Sequence, residues 1–205
     1  MNAISCLQRL QAAKRTVFTA NDLRLLLGVR NDSSFHTALH RLVGRGVLQR
    51  LGKGLFIIAG SPVDPFALAN HLRRPSYVSL ESALNLHGLL IQSPRVITSV
   101  TTGRGCRLHS GGYEFVYRHL TARLWFGFEQ NGTFLVASPE KAFLDWLYLA
   151  SRSSRPALLN DIAWRRLNRR QLDEWAARVS SPLFQRAYSQ WLGKPIRKAK
   201  IDAHS

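Results

Sequence analysis

A row of polar side chains at helical spacing is the first feature of this sequence that indicates chemistry. From Phe35 to Val43, apolar residues recur every three or four positions, and the residues between them carry hydroxyl, imidazole or guanidinium groups. On a helix these groups share the face opposite the apolar stripe. Guanidinium groups bond guanine bidentately, while hydroxyl and imidazole groups reach phosphates or base edges. The pattern predicts a face that fits the major groove of DNA, made of Ser34, His36, Thr37, His40, Arg41 and Arg45.

Four further residues around this helix are predicted to contact DNA. Ser33 is the expected N-cap, and a helix N-terminus itself favours a phosphate. Arg30 lies in the preceding turn, and Arg50 and Lys53 lie on a short hairpin that follows. We expect these three cations to meet the neighbouring phosphate backbone. The alternative is a domain that contacts only proteins, with a polar face that is simply solvated.

Two short helices are predicted to position these groups. Thr19 stands three residues before Asp22, a spacing at which a hydroxyl and a carboxylate cap a helix start, and Gly28 follows as a left-handed end. Ser33 is predicted to cap the second helix and Gly46 to close it. The residues predicted to be buried are Leu23, Leu26 and Leu27 in the first helix and Phe35, Ala38, Leu39, Leu42 and Val43 in the second.

A hairpin and an earlier helix complete the unit. Residues 47–51 and 55–58 are typical of strands, and Gly52-Lys53-Gly54 forms the turn between them. Upstream, apolar residues repeat at helical spacing from position 4 to position 10. The order predicts a winged helix-turn-helix DNA-binding domain over residues 1–61.

Composition points to a polyanionic partner. The 205 residues include 29 basic and 12 acidic side chains, a formal charge of +17. The charge is concentrated at the two ends, with nine basic against two acidic residues in 1–60 (+7), eight against six in 61–150 (+2) and twelve against four in 151–205 (+8). A solvated basic surface is the alternative. Two cysteines, no secretory signal and no long apolar run predict a soluble cytoplasmic protein that does not bind membranes.

The remaining residues, 62–205, are predicted to form an α+β domain. Pro62 and Pro65 break the pattern and mark the boundary. Helices are expected over 64–72, 79–87 and 138–150, and two more follow caps at Asn168 and Ser181, the last burying Leu183, Ala187, Trp191 and Leu192. Strands are expected over 96–101, 113–118, 125–128 and 133–136, with Asn131-Gly132 as a hairpin turn.

Three other residue groups carry alternative chemistry. Glu140, Lys141 and Asp145 invite a nuclease interpretation, in which carboxylates hold a divalent metal, although Glu140 is better explained as a first-turn acid. His36 and His40 have the spacing to share a metal, but no carboxylate or cysteine lies at a compatible distance in sequence. A second basic patch for phosphates or an acidic protein is predicted from Arg165, Arg166, Arg169 and Arg170, with a solvated helix face as the alternative.

The order of motifs along the chain resembles that of the AbiEi family, antitoxins of type IV toxin–antitoxin systems. The resemblance is carried by the winged segment, residues 75–84 (PSYVSLESAL), His87-Gly88-Leu89 and residues 137–148 (ASPEKAFLDWLY). It implies an N-terminal domain that binds inverted repeats in its own promoter and represses the operon. It also implies a C-terminal domain that counters a toxin of the nucleotidyltransferase type. Phe56 departs from the pattern, since tyrosine is expected there.

The sequence thus predicts a repressor and antitoxin with no enzymatic activity and no cofactor. Its expected partner is double-stranded DNA with an inverted-repeat operator, bound by a protein that is a monomer in solution or a weak dimer on DNA. One alternative is a metal-dependent nuclease or nucleic-acid-modifying enzyme that the winged domain targets to DNA. Another is that the second domain binds a toxin directly.

Overall fold

The structure is a computed structural model and describes residues 3–90, 96–153, 162–163 and 166–193. Within these ranges the chain is α+β, as predicted, and begins with three helices and a small antiparallel sheet of strand order β1-β3-β2. None of the helices in these ranges is long and apolar enough to cross a membrane. The first elements are α1 (Ala3–Ala12), β1 (Phe18–Thr19), α2 (Ala20–Leu27), α3 (Asp32–Gly44), β2 (Leu48–Gly52) and β3 (Leu55–Ile58).

Local capping explains where α2 begins and ends, and both predictions for it are confirmed. The Thr19 hydroxyl accepts a hydrogen bond from the Asp22 backbone N–H, and the Asp22 carboxylate accepts one from the Thr19 N–H. Gly28 ends the helix at φ +66°, a left-handed conformation that favours glycine.

The predicted start of α3 is wrong by two residues. Asn31, and not Ser33, is the N-cap, because its side chain accepts from the backbone N–H of Ser34 at 3.0 Å. Ser33 and Ser34 therefore stand in the first helical turn. The predicted closure is confirmed, since Gly46 has φ +67° and donates to the carbonyl of Val43.

The second part of the chain is built on a six-stranded mixed sheet of order β6-β7-β5-β4-β9-β8. Helices α5 and α6 pack on each other, and α7 and α8 pack against α6. The elements are α4 (Pro65–Leu72), β4 (Ser76–Val78), α5 (Leu80–Leu86), β5 (Val96–Thr101), β6 (Cys106–Ser110), β7 (Tyr113–His119), a 3-10 turn (Ala122–Leu124), β8 (Phe128–Asn131), β9 (Phe134–Ala137), α6 (Pro139–Ser151), α7 (Arg169–Ala177) and α8 (Pro182–Leu192).

Three predictions for this part need correction. Residues 125–127 are not a strand, because Trp125 ends the 3-10 turn and packs its ring on Tyr77. The β8–β9 turn is Gly132-Thr133, since Asn131 still pairs with Phe134. In α8 the fully buried residues are Phe184 and Tyr188. Leu183 is 50% exposed, whereas the other predicted residues, Ala187, Trp191 and Leu192, are half-buried against the larger core. The predicted caps at Asn168 and Ser181 are confirmed, and the helices predicted over 64–72 and 138–150 follow N-caps at Asp64 and Ser138.

Two hydrophobic cores meet at β3. Phe56 points into the smaller core with Leu10, Leu23, Phe35 and Leu42. Its neighbours Leu55 and Ile57 belong to the larger core, which includes the six-stranded sheet. The strand is therefore covered on both faces. The predicted domain boundary at residue 61 falls in the connection between β3 and α4 and stays a prediction.

Candidate nucleic-acid interface

The outer face of α3 is open to solvent along its whole length. The buried residues on its inner face are Phe35 and Leu42, with relative exposures of 2% and 9%. Ala38, Leu39 and Val43 are half-buried beside them. The side chains predicted to contact DNA are all exposed, namely Ser33, Ser34, His36, Thr37, His40, Arg41 and Arg45. The apolar residues of the helix thus face the protein interior and its polar residues face solvent, as the spacing predicts.

The first turn of α3 is electrostatically neutralised before any ligand arrives. Asp32 is the acidic residue of that turn, and its carboxylate forms an ion pair with Arg24 of α2. The Arg24 guanidinium also lies 4.8 Å from the centroid of the Phe35 ring. The turn can therefore accept an anion without repulsion from an unpaired carboxylate. Spacing along the sequence does not predict this pairing, because the two residues belong to different helices.

One hydroxyl of the face is partly engaged within the helix. The Thr37 hydroxyl donates to the backbone carbonyl of Ser33 at 2.9 Å. Its proton is used, so toward a ligand the oxygen acts as an acceptor. Thr37 is thus suited to a donor group on a base edge and unsuited to a phosphate oxygen.

Arginine and lysine side chains extend the polar face onto the β2–β3 hairpin, which follows α3 directly and packs against it through β2. Arg50 and Lys53 are exposed, as is Arg30 in the turn before α3. The Arg50 Nε donates to the carbonyl of Gly52 at 3.1 Å, and its guanidinium lies 6.0 Å from the Phe56 ring centroid. These contacts orient Arg50 along the hairpin.

Two of the four arginines in the second predicted basic patch are engaged within the protein. Arg166 donates to the carbonyl of Gly88 at 2.9 Å, and Arg169 pairs with Asp173 at 3.0 Å. Arg170 is exposed. Arg165 lies outside the described residues.

The residues behind the nuclease interpretation are interior. Asp145 is 1% exposed and Lys141 2% exposed, and the two form an ion pair one helical turn apart in α6. The same carboxylate accepts hydrogen bonds from the Tyr77 hydroxyl at 2.9 Å and the Ser79 hydroxyl at 2.8 Å. Burial raises the pKa of Asp145, opposed by the charge of Lys141 and by these hydrogen bonds. Burial also raises the pKa of Tyr77, helped by the nearby Asp145, so its hydroxyl stays a donor.

Glu140, the first-turn acid of α6, has a specific partner. Its carboxylate accepts from the backbone N–H of Asn168 at 2.8 Å and so joins the start of α6 to the cap of α7. Glu140 is 7% exposed. The carboxylates of Glu140 and Asp145 are thus both bonded to groups of the protein itself. Among the described residues, no three His, Cys, Asp or Glu side chains cluster as metal ligands do.

Comparison with known proteins concerns the fold alone. No family model matches the sequence, and no curated protein matches it. Among solved structures, the crystal structure of the Rv2827c protein from Mycobacterium tuberculosis is similar, with a TM-score of 0.53 and 20% sequence identity. The match covers 94% of this chain and 72% of that one. The α+β arrangement therefore has a counterpart of known structure.

Proposed function

We propose that residues 3–58 form a winged helix-turn-helix that binds double-stranded DNA, with α3 as the recognition helix and the β2–β3 hairpin as the wing. One observation carries the proposal, namely that every polar side chain on the outer face of α3 is exposed while its apolar side is buried. The order of helices and strands and the strand order β1-β3-β2 agree with such a domain. The excess of seven positive charges in residues 1–60 supplies attraction for phosphates.

Each group has a role in the proposed complex. His40 and Arg41, on the C-terminal half of the recognition helix, read base edges in the major groove. Ser33 and Ser34, in the first turn of the helix, bind a phosphate through their hydroxyl groups, where the helix dipole favours an anion. The exposed cations at the periphery hold the phosphate backbone and fix the register of the helix: Arg30, Arg45, Arg50 and Lys53.

The biological role that fits this activity is a repressor and antitoxin that binds inverted repeats upstream of its own coding sequence. This role depends on the resemblance of residues 75–89 and 137–148 to the AbiEi pattern. An inverted repeat has two equivalent half-sites, so two protomers occupy it. The part built on the six-stranded sheet then acts against a nucleotidyltransferase-type toxin. The protein needs no enzymatic activity for either task.

A salt titration with the DNA upstream of the coding sequence tests DNA binding. If two bound protomers make 6–10 phosphate contacts, affinity falls by roughly 10³ to 10⁵ between 50 and 200 mM salt. Fluorescence anisotropy measures it, with a mixed-sequence duplex of equal length as the control for specificity. Affinity that does not change with salt, or no binding at 50 mM salt, would contradict the proposal.

Two further assays separate regulation from enzymatic action and from toxin control. Incubation of the full chain with DNA or RNA and Mg²⁺ or Mn²⁺ should leave both nucleic acids intact, whereas cleavage would favour the nuclease alternative. Coexpression with the nucleotidyltransferase-type product of a neighbouring gene should relieve its toxicity. Persistent toxicity would remove the antitoxin role and leave the regulatory one.

A further inference from the structure

Arginine residues also cluster on the second part of the molecule, beside the hairpin. Arg74 follows the end of α4, Arg104 lies in the β5–β6 turn, and both are exposed. Half-buried Arg73 lies between them and donates from Nη2 to the backbone carbonyl of Arg104 at 2.8 Å. In the described part of the chain, no carboxylate forms an ion pair with Arg74 or Arg104. We call Arg73, Arg74 and Arg104 the α4-end cluster.

Arg74 is held in place by a neutral neighbour. Its Nη2 lies 2.6 Å from Nδ1 of His71. A guanidinium only donates, so the imidazole accepts at Nδ1 and carries its proton on Nε2. Burial lowers the pKa of His71 and the charge of Arg74 lowers it further, which keeps the imidazole neutral near pH 7. The arginine is therefore oriented at little cost in entropy while its charge stays uncompensated.

The cluster adjoins the turn of the hairpin. A Cβ built on Gly52 would lie 3.8 Å from Cδ2 of Leu72, so the hairpin passes close to the end of α4. Arg74 is two residues beyond Leu72, which places their Cα atoms at most about 8 Å apart. Lys53 and Arg74, both exposed, lie one and two residues along the chain from this close approach.

Asp22, the carboxylate whose charge acts on His71, does not neutralise the positive charge of the α4-end cluster. Asp22 accepts hydrogen bonds from the Thr19 N–H and hydroxyl and pairs with Arg15 at 3.2 Å. Its charge is already balanced within α2 and the segment before it.

We propose that Arg74 and Arg104 are a second phosphate-binding surface, which extends the bound DNA duplex past the wing onto the part of the protein built on the six-stranded sheet. Arg73 positions the turn that carries Arg104. The inference rests on the proposed function, because the wing must contact DNA for the duplex to reach the cluster. Guanidinium contacts to phosphate carry no base preference, so the cluster adds affinity and length of footprint without specificity.

The test compares two double variants of the full chain. Arg74→Ala with Arg104→Ala should flatten the slope of log affinity against log salt by about 1.8 for each protomer bound, which is about 0.9 for each phosphate that the variant no longer neutralises. Arg74→Lys with Arg104→Lys keeps both charges and should retain the parental slope. Arg186→Ala, an exposed arginine on α8, is the matched control. The ratio of affinities for upstream DNA and mixed-sequence duplex should be unchanged in all of them.

The length of the duplex gives an independent readout. Hydroxyl-radical footprinting of the parent should show protection beyond the wing that the double alanine variant lacks. A slope and a footprint equal to those of Arg186→Ala would overturn the inference. If Arg41→Ala abolishes specific binding while the double alanine variant behaves as the parent, only this inference fails. If the parent binds no DNA, the proposed function fails as well.

Discussion

Helices α3 and α6 both contain thirteen residues, yet they use their charged side chains in opposite ways. On α3, Arg41 and the nearby C-cap Arg45 face solvent. On α6, Lys141 and Asp145 are buried and bonded to each other. Residue types that look reactive in sequence are therefore available for a ligand in one helix and consumed by the fold in the other.

Packing explains this difference. Helix α3 contacts the rest of the protein on one side, so an ion on its outer face keeps its hydration. Helix α6 packs against α5, α7, α8 and β9, and an ion there loses its hydration unless partners replace it. Tyr77 of β4 and Ser79, the residue before α5, provide those partners.

The largest effect is expected from breaking the interior pair. Lys141→Met leaves the Asp145 carboxylate buried without its cation and should lower the free energy of unfolding by about 3–5 kcal/mol. Urea denaturation measures this. Glu174→Ala, which removes an exposed pair with Arg178 at the same helical spacing, should cost less than about 1 kcal/mol. Equal effects of the two variants would refute the contrast between buried and exposed charges.

The corresponding change on α3 should affect binding and spare stability. Arg41→Ala should weaken binding to upstream DNA by about 1–3 kcal/mol if the guanidinium reads a base, and by less if it holds a phosphate. The free energy of unfolding should change by no more than about 0.5 kcal/mol, since the side chain is exposed. Anisotropy and urea denaturation on the same sample check both. Unchanged affinity would remove Arg41 from the proposed interface.

Removing the N-cap of each helix sharpens the comparison. Asn31 and Ser138 each accept a hydrogen bond from the backbone N–H of the third residue of their helix, Ser34 and Lys141, at 3.0 and 3.2 Å. Asn31→Ala and Ser138→Ala should each cost about 1 kcal/mol in stability. DNA affinity should fall for Asn31→Ala alone, because that cap orders the turn that binds phosphate. A parallel loss of affinity in Ser138→Ala would connect α6 to the interface.

The smallest effect is expected on the free energy of unfolding when the pH is lowered and Asp22 is protonated. Burial pushes the pKa of Asp22 upward, but hydrogen bonds from Thr19 and the charge of Arg15 outweigh it and lower the pKa. A pKa below its unfolded value stabilises the fold above about pH 4 and loses that contribution as pH falls further. The loss should stay below about 1 kcal/mol, since Arg15 is largely exposed to screening solvent. Asp22→Asn should be less stable at pH 7 and should lack this component of the acid response in urea midpoints measured from pH 7 to 3.

Local signals were sufficient for much of the fold. The capping box at Thr19, the glycine after α2 and the prolines and caps of α4, α6 and α8 act within a few residues of chain, so the sequence displays them directly. The ten positions predicted to contact DNA are exposed for the same reason, since helical periodicity and turn residues place them. The error at Ser33 arose because Asn31 offers an equally good cap one helical half-turn earlier.

Long-range contacts were beyond reach of such signals. Strand β4 is three residues long and gains its place from β5 and β9 on either side. The role of Asp145 depends on Tyr77 and Ser79, which lie 68 and 66 residues away in sequence. The α4-end cluster likewise forms from two segments some thirty residues apart, Arg73 and Arg104. The periodicity of a sequence does not predict contacts between segments that are so far apart along the chain.

Strand β3 bears on any attempt to produce the first sixty residues alone. Phe56 would stay buried in such a fragment. Val17, Leu55 and Ile57 would become exposed to solvent as a hydrophobic patch. The fragment would tend to self-associate for reasons unrelated to any operator. A truncated version for DNA-binding studies therefore needs polar replacements at those three positions, or a substitute for the part of the larger core that covers them.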